Sequence, residues 1–94
     1  MAGISKTVVS IQPGKMEEVN KYIDSQSGLV STIDGMIGFG VAATGENELT
    51  IIGVYESTKA AEAASPVVQE VFREMASMMT APPERGVFPG VWFS

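Results

Sequence analysis

The stretch Met36 to Ser57, MIGFGVAATGENELTIIGVYES, constrains this chain more than any other, because it reads as a β-hairpin that is apolar on both sides. Two β-prone runs flank Gly45-Glu46-Asn47, whose Gly and Asn tolerate the positive φ that a tight reversal uses, so the runs are expected to pair antiparallel. Placing Thr44 opposite Glu48 sets the register. One face then carries Ile37, Phe39, Val41, Ala43, Leu49, Ile51 and Tyr55, and the other Met36, Gly38, Gly40, Ala42, Thr50, Ile52 and Val54. A hairpin with one wet face alternates apolar with polar, and this one does not until Thr50 and Glu56. Both faces therefore require cover.

Ninety-four residues, 45% of them hydrophobic, suit a single domain spanning 1–94 with one modest core. The longest nearly unbroken apolar run, Met36 to Ala43, is far short of the ~18 to 20 residues that cross a bilayer. The opening MAGISKTVV lacks the basic-then-apolar pattern of a secretory signal, and the expectation is a cytoplasmic protein with no membrane partner. Without Cys there are no disulfides, thiolate metal sites or Cys nucleophile. Without His the commonest metal ligand and the usual neutral-pH acid-base group are missing as well. Six basic against eleven acidic residues give a net charge of −5, a field that repels phosphate backbones, so nucleic acid is not an expected partner.

Along the chain, Ile4 to Ile11 is β-branched and apolar on both parities, the mark of a buried strand. After Gln12-Pro13-Gly14, a helix with Glu17 and Glu18 in its first turn repeats Met16, Val19, Tyr22 with Ile23, Gln26 and Val30 on one stripe, with Gly28 loosening its end. Asp34-Gly35 turns the chain into the hairpin. Beyond it, Ser57-Thr58 caps a short Ala-rich helix from Lys59 to Ala64, and Ser65-Pro66 reads as a second N-cap with Pro at the first helical position. The second helix presents Val67, Val68, Val71, Phe72, Met75, Met78 and Met79, and Pro82-Pro83 stops it. Gly86 to Phe93 reads as a last strand, held to an edge or a bulge by Pro89. The order β-α-β-β-α-β predicts an α+β, ferredoxin-like domain: a four-stranded antiparallel sheet with two helices on one face. The other face stays apolar and bare, and a second copy packed sheet to sheet, a homodimer, is the economical cover.

On three segments the chain resembles the dimeric α+β barrel proteins of the antibiotic biosynthesis monooxygenase type. They are Ile11-Gln12-Pro13-Gly14-Lys15, Asp34-Gly35-Met36-Ile37-Gly38, and Val54-Tyr55-Glu56-Ser57 with the Ala-rich helix after it. The resemblance implies a homodimer with a small-molecule pocket in each subunit between helices and sheet. Its members include cofactor-free quinol-type oxygenases, haem-degrading oxygenases, decarboxylases, isomerases and proteins with no known activity. The Asn, Trp and His of the haem-degrading members fall approximately on Thr7, Tyr55 and Ser65, so the axial imidazole has no counterpart and no cofactor or metal is expected.

Two function classes follow: a cofactor-independent monooxygenase on an aromatic, quinol-like or polyketide-like substrate, or a non-catalytic ligand-binding or structural dimer on the same scaffold. For the first, Tyr55 and Thr7 are the candidate catalytic residues, orienting the substrate, and Tyr22, Tyr55, Phe72, Met75 and Trp92 are the candidate substrate-binding residues. Each also has a plain packing role: core tyrosines, a methionine-rich helix face, and an interface tryptophan. Glu56 is the acid flanked by apolar strand residues. On the hairpin register it lies on the face opposite Tyr55, turned toward the second subunit and a counter-charge such as Lys6 or Arg85, or a wet rim; with the faces inverted it would enter the pocket as a general base. Gly35, Gly38 and Gly40 precede or lie within a strand and open no helix, which excludes a phosphate loop.

Overall fold

In the computed structural model, which describes residues 1–94, the small and β-branched residues at the start form β1 (Ala2–Ser10), an inner strand of the sheet. Then come α1 (Met16–Asp24), α2 (Leu29–Thr32), β2 (Met36–Gly45), β3 (Glu48–Tyr55), α3 (Thr58–Ala63), α4 (Ser65–Met75) and β4 (Glu84–Gly90), with a 3-10 turn at Ala76–Met78. The four strands stand in the order β2-β3-β1-β4 and every neighbouring pair is antiparallel. This is the ferredoxin-like α+β arrangement expected from the sequence, with β4 and its Pro89 at an edge.

The hairpin register holds through its centre, where Phe39 pairs Gly53, Val41 pairs Ile51 and Ala43 pairs Leu49. At both ends it shifts by one: Met36 pairs Tyr55, and Gly45 pairs Glu48. The shift beside Ile37 is a β-bulge that turns Met36, expected on the bare face, onto the helix side, where it packs against the Tyr55 cluster; Ile37 is left exposed. The reversal itself uses no positive φ at Gly45 or Asn47. A positive φ occurs instead at Gly35 (+79°), where the chain enters β2 and an added Cβ would meet the Ala60 side chain at 2.8 Å.

Three other boundaries differ from the sequence reading. The first helix ends at Asp24 and resumes for one turn as α2, because Ser25, Ser27 and Gly28 are poor helix formers and 25–28 form turns. Ser57 caps α3, its Oγ accepting from the Ala60 N–H at 3.0 Å, but Ser65 does not cap α4; Ala64 is the half-helical residue and Ser65 is already inside. The last strand begins at Glu84 and ends at Gly90, so Val91, Trp92 and Phe93 lie beyond it, exposed.

One core cluster, Val9, Ile11, Val19, Leu49, Phe72, Met75 and Met79, joins the sheet to α1 and α4. A second, Ile33, Tyr55, Ala61 and Ala64, seats α3. Each large side chain buried here contributes about 1.5–3 kcal/mol of apolar transfer. The far side of the sheet has no helix. There Ile4, Val8 and Val54 are half-buried, and Ile52 and Phe88 are exposed, Phe88 by 54%.

Candidate functional site

Strand registers set the floor of the site. Val41, Ile51, Thr7 and Arg85 form one row across the sheet, and Phe39, Gly53, Ser5 and Val87 form the next. A third row holds Met36, Tyr55 and Gly3. All face the helices, because side chains two apart on a strand share a face. Between this floor and the helices lies a cavity of about 60 Å³. Tyr22, Ile23 and Gln26 come to it from α1, Leu29 from α2, and Val68, Val71, Phe72 and Met75 from α4.

Its walls are almost wholly apolar, yet its floor carries the hydroxyls of Ser5, Thr7 and Tyr55. These residues are 4%, 2% and 1% exposed. None of the three hydroxyls has a hydrogen-bond partner within the chain, and none is sealed away from the cavity. Their oxygens open onto the cavity and bond to no other group of the chain, so three donors and acceptors face it from one floor. Gly53 makes room for them: a Cβ there would lie 2.6 Å from Ser5 Oγ, 3.0 Å from the Tyr55 ring and 3.5 Å from its hydroxyl.

Tyr22 closes the cavity on the helix side. Its hydroxyl donates to the Glu74 carboxylate and so ties α1 to α4. Burial, then the hydrogen bond to Glu74 and its charge, with Glu70 adding, push the Tyr22 phenol up to about 12, so it is a neutral donor at neutral pH. Arg85 closes the edge-strand side. Its Nη1 donates to Ser65 Oγ at 2.9 Å and its Nη2 to the Ala61 carbonyl at 3.0 Å.

The structure thus brings Thr7, Tyr22, Tyr55, Phe72 and Met75 to one cavity. Trp92 is not among its walls; it follows the end of β4 and is 42% exposed. Glu56 is exposed and off the cavity, as the opposite-face register requires. Arg85, considered as a counter-charge for it, points to the helix side and cannot serve. Sequence reasoning missed Ser5, Gln26, Met36 and Arg85. The alternation of Ser5 and Thr7 with Ile4, Lys6 and Val8 in β1, which puts two small hydroxyls on the face that carries Val9, was the signal available for the first.

No family model matches the sequence, and no curated protein is a detectable relative of it. Solved structures do match in shape. A protein of unknown function from Nitrosomonas europaea superposes with a TM-score of 0.83 at 10% identity, over 99% of this chain and 92% of that one. A proposed antibiotic biosynthesis monooxygenase from the same organism gives 0.78 at 15% identity, over 97% and 91%. SnoaB, a cofactor-independent oxygenase from Streptomyces nogalater, gives 0.75 at 12% identity, over 98% and 95%. The fold is that of the antibiotic biosynthesis monooxygenase-like proteins. Within this antibiotic biosynthesis monooxygenase-like fold, Thr7 and Tyr55 face the cavity, while the Ser65 hydroxyl is taken up by Arg85. Haem does not fit these residues: the chain has no His to serve as axial imidazole, and the second-helix position matched to it is that already engaged Ser65.

Proposed function

We propose that this protein is a homodimer that binds a small aromatic, quinol-like molecule in the cavity between helices and sheet and oxygenates it with dioxygen, without a cofactor. The observation that carries this reading is the apolar cavity floored by three hydroxyls that no protein group uses. Apolar walls take the ring, and the floor takes its oxygens. The resemblance in shape to a cofactor-independent oxygenase agrees with it.

The chemistry asked of the chain is modest. A substrate with an acidic methylene beside a conjugated carbonyl enolises, and Ser5, Thr7 and Tyr55 hydrogen-bond the oxygen on which the charge settles. The carbanion gives one electron to dioxygen, the radical pair joins as C–OO⁻, the proton lost on enolisation returns to that peroxide, and loss of water leaves C=O. In balance, CH₂ and O₂ become C=O and H₂O. The walls keep bulk water from the carbanion and hold the ring in one orientation.

At about 60 Å³ the cavity is well below the ~300 Å³ or more of a small-molecule pocket. Ligand entry therefore displaces its lid, and Tyr22 with the one-turn α2 is the part built to move. On the other side of the sheet, the apolar open face takes a second copy. Gly38 and Gly40, beside which an added Cβ would meet nothing within 4 Å, permit close approach of the two sheets.

Oxygen uptake with a panel of anthrones and quinols tests the activity. The expectation is turnover above the buffer blank, lowered about tenfold or more in Ser5→Ala/Tyr55→Phe, whose melting temperature stays near that of the parent because those hydroxyls bond nothing in the fold. Turnover at the blank rate across the panel leaves the scaffold without this chemistry.

A further inference from the structure

Arg85 is the one cationic side chain on the cavity wall. The two hydrogen bonds that hold it, to Ser65 Oγ and the Ala61 carbonyl, use two of the five N–H donors of a guanidinium and leave three. Neither acceptor carries a formal charge, so they orient the fork and, through the Ala61 carbonyl in the last turn of α3, balance its charge only in part. The two ion pairs of the chain, Lys15–Glu18 at 3.4 Å and Arg73–Glu70 at 3.0 Å, do not involve it. A half-buried cation without a carboxylate stands out in a chain with eleven acidic residues, because charges withdrawn from water are normally paired.

Two further features converge on the same place. Ser65 is the first residue of α4, so the positive end of that eleven-residue helix lies beside the guanidinium. Arg85 also borders a surface groove with Ser65, Val68, Gln69 and Pro83, so that an anion paired with it keeps part of its hydration.

We infer that the ligand carries a carboxylate: its aromatic body fills the cavity above Thr7 and Tyr55, and its carboxylate pairs with Arg85 at the groove end. A single guanidinium matches the single charge of a carboxylate, whereas a phosphate monoester brings nearly two, and no second cation lines the cavity. This inference rests on the cavity being the ligand site, as proposed above.

Titration of 3-hydroxy-2-naphthoate and of its methyl ester, at pH 7, into the parent protein, Arg85→Gln and Arg85→Lys separates the two readings. The parent is expected to bind the acid about tenfold or more tighter than the ester. Arg85→Gln loses that preference because the acid weakens about tenfold while the ester is unchanged, which also shows that the cavity is still formed. Arg85→Lys keeps part of the preference. Equal affinity of acid and ester in the parent overturns the carboxylate assignment and leaves the cavity standing. Equal weakening of both probes in Arg85→Gln also overturns it, reducing Arg85 to a brace between β4 and the helices. No binding of either probe to the parent overturns the cavity reading and this inference with it.

Discussion

Each face of the sheet departs in part from the usual order. An antiparallel sheet that is covered on one side ordinarily hides apolar residues and wets polar ones. Here the covered face holds Ser5, Thr7, Tyr55 and Arg85 around a cavity, and the uncovered face shows Ile4, Val8, Ile52, Val54 and Phe88. Stability alone accounts for neither. The hydroxyls under the helices add no hydrogen bond to the fold, and bare apolar residues outside leave transfer free energy unused. The contrast makes sense if each face serves another molecule: a guest on the inner side and a second copy on the outer.

Placing a charge on the outer face breaks the comparison most severely. Val54 lies at the middle of that face, between Ile4 and Gly38. In Val54→Asp each copy would bring a carboxylate into a sheet-to-sheet contact, a burial that costs about 3 kcal/mol or more, which is over a hundredfold in association. Sedimentation velocity should show the parent as a dimer and the variant as a monomer that retains its far-UV spectrum. A parent that sediments as a monomer at micromolar concentration removes the second copy from this account.

A methyl group on the inner face has a smaller effect. The Cβ of Gly53→Ala would stand 2.6 Å from Ser5 Oγ and 3.0 Å from the Tyr55 ring, closer than real contacts allow. Overpacking of this kind costs about 1–3 kcal/mol, or on the order of 4–8 °C of melting temperature per kcal/mol in a domain this small. Ligand affinity should fall further than stability does, because relief comes from tilting the two side chains that form the floor. If Gly53→Ala melts lower but binds unchanged, the floor is packing and not a recognition surface.

How far the sequence carried the reading differs between the faces in the same way. Element order, sheet layers and the central hairpin register follow from periodicity, and Phe39, Val41, Ile51 and Tyr55 were placed correctly on one face. The bulge at Ile37 could not be read, because in a strand apolar on both sides a one-residue slip leaves the pattern intact. Met36 crossed faces for that reason. Arg85 was offered only as a counter-charge on the wrong face, because the last strand was expected to begin at Gly86 and the residue had no parity. Trp92 was given a strand position that the chain does not continue to. Tyr55 and Thr7 were reachable through the family resemblance, but Ser5 sat in a run read as apolar on both parities.

The smallest expected effect concerns the lid over the inner face. The Tyr22 phenol stands at about 12 in the folded chain against 10.0 ordinarily, through burial and its bond to Glu74. The folded state therefore holds this proton more tightly than the unfolded state does. Below about pH 10 both states are protonated and the contribution is complete. As pH rises from 10 through 12 the unfolded chain loses the proton first, so the stabilisation is lost over that window. Tyr22→Phe removes the hydrogen bond at a cost of about 0.5–1.5 kcal/mol, with nothing left buried and unpaired, because Glu74 returns to water. The melting-temperature gap between parent and Tyr22→Phe should thus be widest below pH 10 and close by pH 12. The variant should also admit the naphthoate probes faster, because the tie between α1 and α4 has gone. A gap that stays constant from pH 8 to 12, with unchanged association rates, would make Tyr22 a surface tyrosine and require the lid over the cavity to be found elsewhere.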